Sequence, residues 1–184
     1  MSEKPTFTEG LEEVEELGLT DLGSLAHWSV SSHKAGCGVE ALRSDDHQLF
    51  WQSDGPQPHH LDIHFSKRVS IERVSIYTDY ELDESYTPSK IKILAGSGYH
   101  DLLEVTEVDL DEPQGWTHLV LDGLREDGVL KTYLLRLLIP ANHQHGKDTH
   151  LRAVKVYGPR KHMVMDDSIF AFTTPQMFSE QVIR

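Results

Sequence analysis

Tyr133-Leu134-Leu135-Arg136-Leu137-Leu138-Ile139, closed by Pro140, is the most apolar run of the chain. It is short for a helix and carries no caps. A run of this length bounded by a breaker reads as a strand buried on both faces, with a buried helical turn as the rival. Proline removes a backbone donor, so the strand is expected to stop at Pro140. Working outward from this run settles the class. On one side, Leu61, Ile63 and Phe65 alternate with Asp62 and His64, the period of a half-buried strand. Val69 and Ile71 alternate, then Val74 and Ile76 do so in the opposite phase, and the slip at Glu72-Arg73 predicts a bulge or a change of partner. Ile91 and Ile93 follow, then Leu103 and Val105 slipping against Val108 and Leu110, then residues 116–121. On the other side, residues 151–157 place Val154 and Val156 inward and Lys155 outward.

Turn residues separate these segments: Asp54-Gly55-Pro56, Pro88, Gly96 with Gly98, Pro113 with Gly115, Asp127-Gly128 and Gly158-Pro159. Short strands at near-regular spacing, with no long segment of helical period, predict an all-β sandwich or barrel. The ends differ from this body. Six acids and one base crowd the first sixteen residues, where Leu11, Val14 and Leu17 permit a short helix, read as a mobile or loosely docked extension. After Pro159 come Met163, Met165, Ile169, Phe170, Phe172, Met177, Phe178 and Ile183 without strand rhythm, a segment that needs cover from the domain or a partner. The expected division is an acidic extension over 1–16, a sandwich over 17–158 and a tail over 159–184.

The 184 residues are 38% hydrophobic and 26% charged, ordinary for a soluble domain. Seventeen bases against thirty acids give a net charge of −13, which argues against nucleic acid and against an anionic membrane face. Cys37 stands alone, so neither an internal disulfide nor a multi-cysteine zinc site can form. No apolar run approaches the roughly 18 residues of a membrane span. Nothing at the start reads as a secretory leader, so the expected compartments are nucleus and cytoplasm.

Three segments stand out as candidate sites. The loop 142–150 holds Asn142, His143, Gln144, His145, Asp148 and His150 between two predicted strands. Its histidines lack the spacing of known zinc patterns, so no metal is assigned; a plain polar loop and a ligand-contact loop remain, and the second is favoured because rigid strands hold it. Glu84, Ser85 and Tyr86 precede Thr87-Pro88, where an ordinary turn competes with a binding loop offering Tyr86. Trp51-Gln52-Ser53-Asp54-Gly55 carries a tryptophan that anchors a loop or stacks on a ligand. Catalytic signatures are missing: there is no Gly-x-Ser-x-Gly, no phosphate loop and no His-Glu-x-x-His.

A resemblance joins these pieces. Residues 26–32, Gly36-Cys37-Gly38-Val39, residues 42–46, Phe50-Trp51-Gln52-Ser53-Asp54-Gly55, Asp79-Tyr80, residues 83–90, Pro113-Gln114-Gly115-Trp116 and the 141–150 loop are similar, in this order and spacing, to the Doc-domain subunit family of the anaphase-promoting complex, or cyclosome. The resemblance implies a jelly-roll β-sandwich related to galactose-binding domains. It further implies a non-catalytic substrate-recognition subunit of a ubiquitin ligase in cell-cycle control, without a cofactor, that holds the destruction box of substrates such as cyclins and securin together with an activator protein. Ser53, Asp54, Glu84, Ser85, Tyr86, Asn142, His143, Gln144, Asp148 and His150 would form the destruction-box surface. The terminal Ile183-Arg184 matches the family's ending, which enters a groove of a helical-repeat scaffold subunit. The family often has Asn at position 145 and Arg at 147, where this chain has His145 and Lys147; a bidentate contact at 147 would be weakened, while a single cationic contact would survive. Two rivals are a lectin-like carbohydrate-binding module on the same fold and a metal-dependent hydrolase using His143, His145 and His150.

Overall fold

The computed structural model describes residues 8–160. Eleven strands account for nearly all of the regular structure among them. They are β1 (Thr20–Asp21), β2 (Ala26–Val30), β3 (Trp51–Gln52), β4 (His59–Ile71), β5 (Arg73–Asp79), β6 (Pro88–Gly96), β7 (Leu103–Asp109), β8 (Gln114–Val120), β9 (Leu130–Asn142), β10 (His150–Leu151) and β11 (Ala153–Gly158). Two short helices, α1 (Glu12–Glu16) and α2 (Tyr80–Asp83), and several 3-10 turns complete the set. A five-stranded antiparallel sheet in the order β2-β4-β9-β6-β7 faces a four-stranded one, β1-β11-β5-β8, and β3 pairs with β10 at one end.

Alternation explains the packing between them. Leu61, Ile63 and Phe65 of β4, Ile91 and Ile93 of β6, and Leu135, Leu137 and Ile139 of β9 point into the sandwich. Val74 and Ile76 of β5, Val154 and Val156 of β11, and Leu119 of β8 meet them from the other sheet. The slip at Glu72-Arg73 marks the crossing between layers: β4 ends at Ile71 in one sheet and β5 begins at Arg73 in the other. Glu72 stays hydrogen-bonded through the crossing, its N–H donating to Tyr157 and its carbonyl accepting from Leu121. The slip near Val105 is a bulge, since Thr106 pairs with Ile93 but Glu104 pairs with Leu94.

One expectation fails. β9 does not stop at Pro140 but runs on to Asn142. Its pairing with β4 ends at Ile139 opposite His59. Its pairing with β6 shifts register between Leu138 and Ala141, so the missing N–H of Pro140 falls in a bulge where no ladder bond is lost. The continuation matters, because it delivers Asn142 and the loop behind it to one end of the sandwich.

The acidic N-terminal stretch is docked on the sandwich through Gly10, Glu13 and Val14. Val14 of α1 is only 2% exposed. Glu13 reaches the buried Arg73 at 3.4 Å, and His118 of β8 lies 2.8 Å from the Gly10 carbonyl while its other ring nitrogen meets Ser75. The apolar tail residues from Met163 onward lie outside the described residues.

Candidate functional site

The end of the sandwich beyond β9 gathers three loops that are far apart in sequence. Residues 53–57 enter from β3, the 3-10 turn Glu84–Tyr86 from α2, and residues 143–149 join β9 to β10. The 142–150 loop is held by its own first residue. Asn142 is buried and donates its amide to the carbonyls of Gly146 (3.2 Å) and Asp148 (2.9 Å), drawing the loop into a closed arc. Gln144 and His145 take left-handed backbone angles at the tip, with φ of 52° and 57°.

Each neighbouring loop is knitted to this arc. His143 donates its N–H to the Thr87 carbonyl at 2.9 Å. Gly146 lies so close to the 84–86 turn that a Cβ there would sit 1.8 Å from the Ser85 carbonyl oxygen; only glycine permits the two loops to touch. Ser53 is fully buried, accepts from the Thr149 N–H at 2.9 Å and donates to Asp148 at 3.3 Å. Gln57 donates to Gly146, and His59 to the Lys147 carbonyl.

Beneath the loops lies a charged group that sequence reasoning missed. Asp83, 4% exposed, receives a two-point bond from Arg152 at 2.9 and 2.7 Å and lies 3.0 Å from Nδ1 of His150. Arg152 also donates to the His47 carbonyl at 2.8 Å. Burial alone would raise the Asp83 carboxyl. The bonds from His150 and Arg152 outweigh it and hold the group below its ordinary value. His150 is stacked between Phe50 and Tyr86, each ring 4.2 Å away. An arginine between Leu151 and Ala153, in a run otherwise built for the core, was the signal available: a buried cation requires a buried acid.

The ten expected surface residues thus fall into three layers. Ser53, Asn142 and His150 are buried and fix the loops. Ser85, His143 and Asp148 are half-buried. Asp54, Glu84, Tyr86 and Gln144 face solvent, Tyr86 with 39% of its area exposed. His145 and Lys147 are exposed beside them. Gln144 donates to the Tyr80 hydroxyl at 3.0 Å, and the Tyr80 ring stands edge-on to His143. The surface therefore offers one aromatic ring, two carboxylates and an amide on a rigid base, groups suited to gripping a short polar chain. Among the described residues no three His, Cys, Asp or Glu side chains stand where they could hold a metal ion, and no helix is long and apolar enough to cross a membrane. Ile183 and Arg184 lie outside the described residues.

Two facing antiparallel sheets with a loop-built surface at one end define the class, a jelly-roll β-sandwich of the galactose-binding type. The family 32 CBM of Clostridium perfringens NanJ, solved in complex with galactose, matches with a TM-score of 0.63 over 76% of this chain and 99% of that one, at 13% identity. The paired CBM32 domains of Clostridium perfringens ZmpB match with a TM-score of 0.68 over 86% of this chain and 42% of that one, again at 13% identity. At such identity the likeness is one of fold. The sequence comparison is narrower: the family described as anaphase-promoting complex, subunit 10 matches residues 2–182, and the chain belongs to that family. Anaphase-promoting complex subunit 10 of Schizosaccharomyces pombe is 44% identical, over 91% of this chain and 89% of its own length. The Homo sapiens protein of the same name is 44% identical over 76% and 75%, and anaphase-promoting complex subunit DOC1 of Saccharomyces cerevisiae 38% identical over 97% and 73%.

Proposed function

We propose that this chain is the substrate-recognition subunit of the anaphase-promoting complex, a ubiquitin ligase, and that it works in nucleus and cytoplasm without chemistry of its own. With the activator protein it forms a two-part receptor for the destruction box of substrates such as cyclins and securin. The observation that carries the reading is the convergence of three loops on a buried carboxylate–guanidinium pair, with Asp54, Glu84, Tyr86 and Gln144 left outward. Such a surface adds a second contact to a peptide already held by the activator. The second contact is then effectively intramolecular, so release slows and more ubiquitin is added per encounter. Ile183 and Arg184 dock to the helical-repeat scaffold, supplying an apolar side chain and a guanidinium.

The test replaces Glu84, Tyr86 and Gln144 together by alanine in the reconstituted complex. Tyr86 stacks on His150 and Gln144 donates to the Tyr80 hydroxyl, so melting should fall slightly, while destruction-box-dependent processivity falls by about tenfold, as expected when a tyrosine anchor is lost. Normal processivity with a folded variant would refute the reading. Deleting residues 183–184 should weaken scaffold binding and leave the fold intact; unaltered binding would remove the tail assignment.

A further inference from the structure

A groove of about 540 Å³ lies beside the loop-built end, walled by residues 33–41 on one side and 48–50 on the other. Leu49, Phe50, Ala41 and the half-buried Cys37 give it an apolar lining, and Glu40 and Gln48 belong to its polar part. Leu49 is 48% exposed and lies along this lining. Gly36 and Gly38 flank Cys37 in the first wall, and the Glu40 carboxylate lies 2.7 Å from where a Cβ on Gly38 would sit.

Phe50 connects this groove to the candidate surface. It lines the groove, and its ring stacks on His150, whose other neighbour in the stack is Tyr86. Two stacking steps of 4.2 Å set the Phe50 and Tyr86 rings about 8 Å apart, a span that two or three residues of extended chain cover. We infer that the groove is a second subsite of the same receptor and takes an apolar side chain of the bound peptide two or three residues from the part held at Tyr86. The inference rests on the reading proposed above. Its occupant follows from continuity and chemistry: a peptide seated at Tyr86 has the groove within reach, and the lining favours an aliphatic or aromatic side chain over a charged one. Leu49 and Phe50 then set which substrates are held longest, while the outward polar groups set where the peptide sits.

The experiment uses the reconstituted complex with activator and a destruction-box substrate. One arm fills the groove with Ala41→Trp or makes it polar with Leu49→Asp, with melting as the control for folding. A second arm needs no substitution and follows alkylation of Cys37 by a small maleimide, read by mass spectrometry, with and without substrate. Filling the groove should speed substrate release by about tenfold, the loss expected for one buried aliphatic side chain. Bound substrate should protect Cys37 to a comparable degree. If the exposed triple variant of Glu84, Tyr86 and Gln144 slows ubiquitination while the groove variants do not, and Cys37 reacts equally in both states, the subsite is overturned and the receptor reading stands. If none of the variants has an effect, the receptor reading falls and the subsite falls with it.

Discussion

Two aspartates, Asp83 at the loop end and Asp62 on the outer face of the five-stranded sheet, have nearly the same company. Each is 4% exposed, each receives a two-point bond from an arginine, and each has a histidine beside it. The difference lies in what they connect. Asp62 and Arg136 sit directly opposite on β4 and β9, which the backbone ladder already holds. Asp83 and Arg152 join α2 to the start of β11 and, through the His47 carbonyl, to the loop before β3; α2 and that loop have no ladder of their own. The Arg136 side chain keeps 21% of its area in solvent, whereas Arg152 keeps 6%. The same chemistry is therefore an accessory in the sheet and the main fastening at the loops.

The largest effect is expected at Arg152. Its replacement by alanine strands a buried carboxylate, a loss of about 3–5 kcal/mol for such a partner. The damage should concentrate at the loop end. Hydrogen exchange is expected to rise across 47–54, 83–87 and 142–152 and to stay unchanged in β4 and β9. A uniform rise over the whole molecule would show that the Asp83 group is no special support for the loops.

Gly146→Ala comes next. The added methyl meets a main-chain oxygen, not a flexible side chain, so the 84–86 turn and the 142–150 loop must part. A cost of about 2–3 kcal/mol is expected by chemical denaturation, in the range for overpacking. The loss of substrate retention should exceed what stability alone explains, because Tyr86 and Gln144 move apart. Retention falling only in step with stability would deny that loop contact sets the surface.

What the sequence made legible divides along the same line. Strands announce themselves by alternation, so β4, β5, β9 and β11 could be read directly, and the crossing at Glu72 appeared as a phase change. Pro140 misled because a proline in a bulge looks, in one dimension, like a proline that ends a strand. The three site loops stood out by their residues and their place between strands, but that they meet at one end of the sandwich came only through resemblance. Which of their residues turn inward was not legible, since Ser53 and Asn142 are as polar as Asp54 and Gln144, and burial there is decided by partners about a hundred residues away or across the arc. An ion pair between positions 83 and 152 leaves no periodic trace at all.

Arg136→Ala tests the other member of the pair. Asp62 loses its bidentate partner, but solvent already reaches the arginine and the β4–β9 ladder persists. A cost of about 1–2 kcal/mol is expected by denaturation, with exchange rising only near Asp62 and Tyr99, whose ring lies 5.7 Å from the guanidinium.

The smallest effect is a titration, and it sharpens the contrast because the two groups should respond to acid in different windows. Burial disfavours the charged form of His60 and lowers its pKa below 6.5; Asp62 pulls the other way, while Arg136 and His59 add to the lowering. The folded state then binds fewer protons at His60 than the unfolded chain does, so this contribution is whole above pH 6.5 and declines as pH falls below it. Asp83 is also lowered, but from the carboxylate range, so its contribution is present above about pH 4 and is lost as pH falls through the folded value. Stability measured against pH should decline gently first, with His60→Gln removing that shallow limb, and more steeply in the carboxylate range, where Asp83 is joined by the exposed and likewise lowered Asp101, Glu107 and Asp127. In Arg152→Ala the steep limb should flatten, because the carboxylate has lost the partner that kept it ionised. A His60 imidazole that titrates at or above 6.5 by NMR would place the first limb elsewhere and end the comparison between the two clusters as acid sensors.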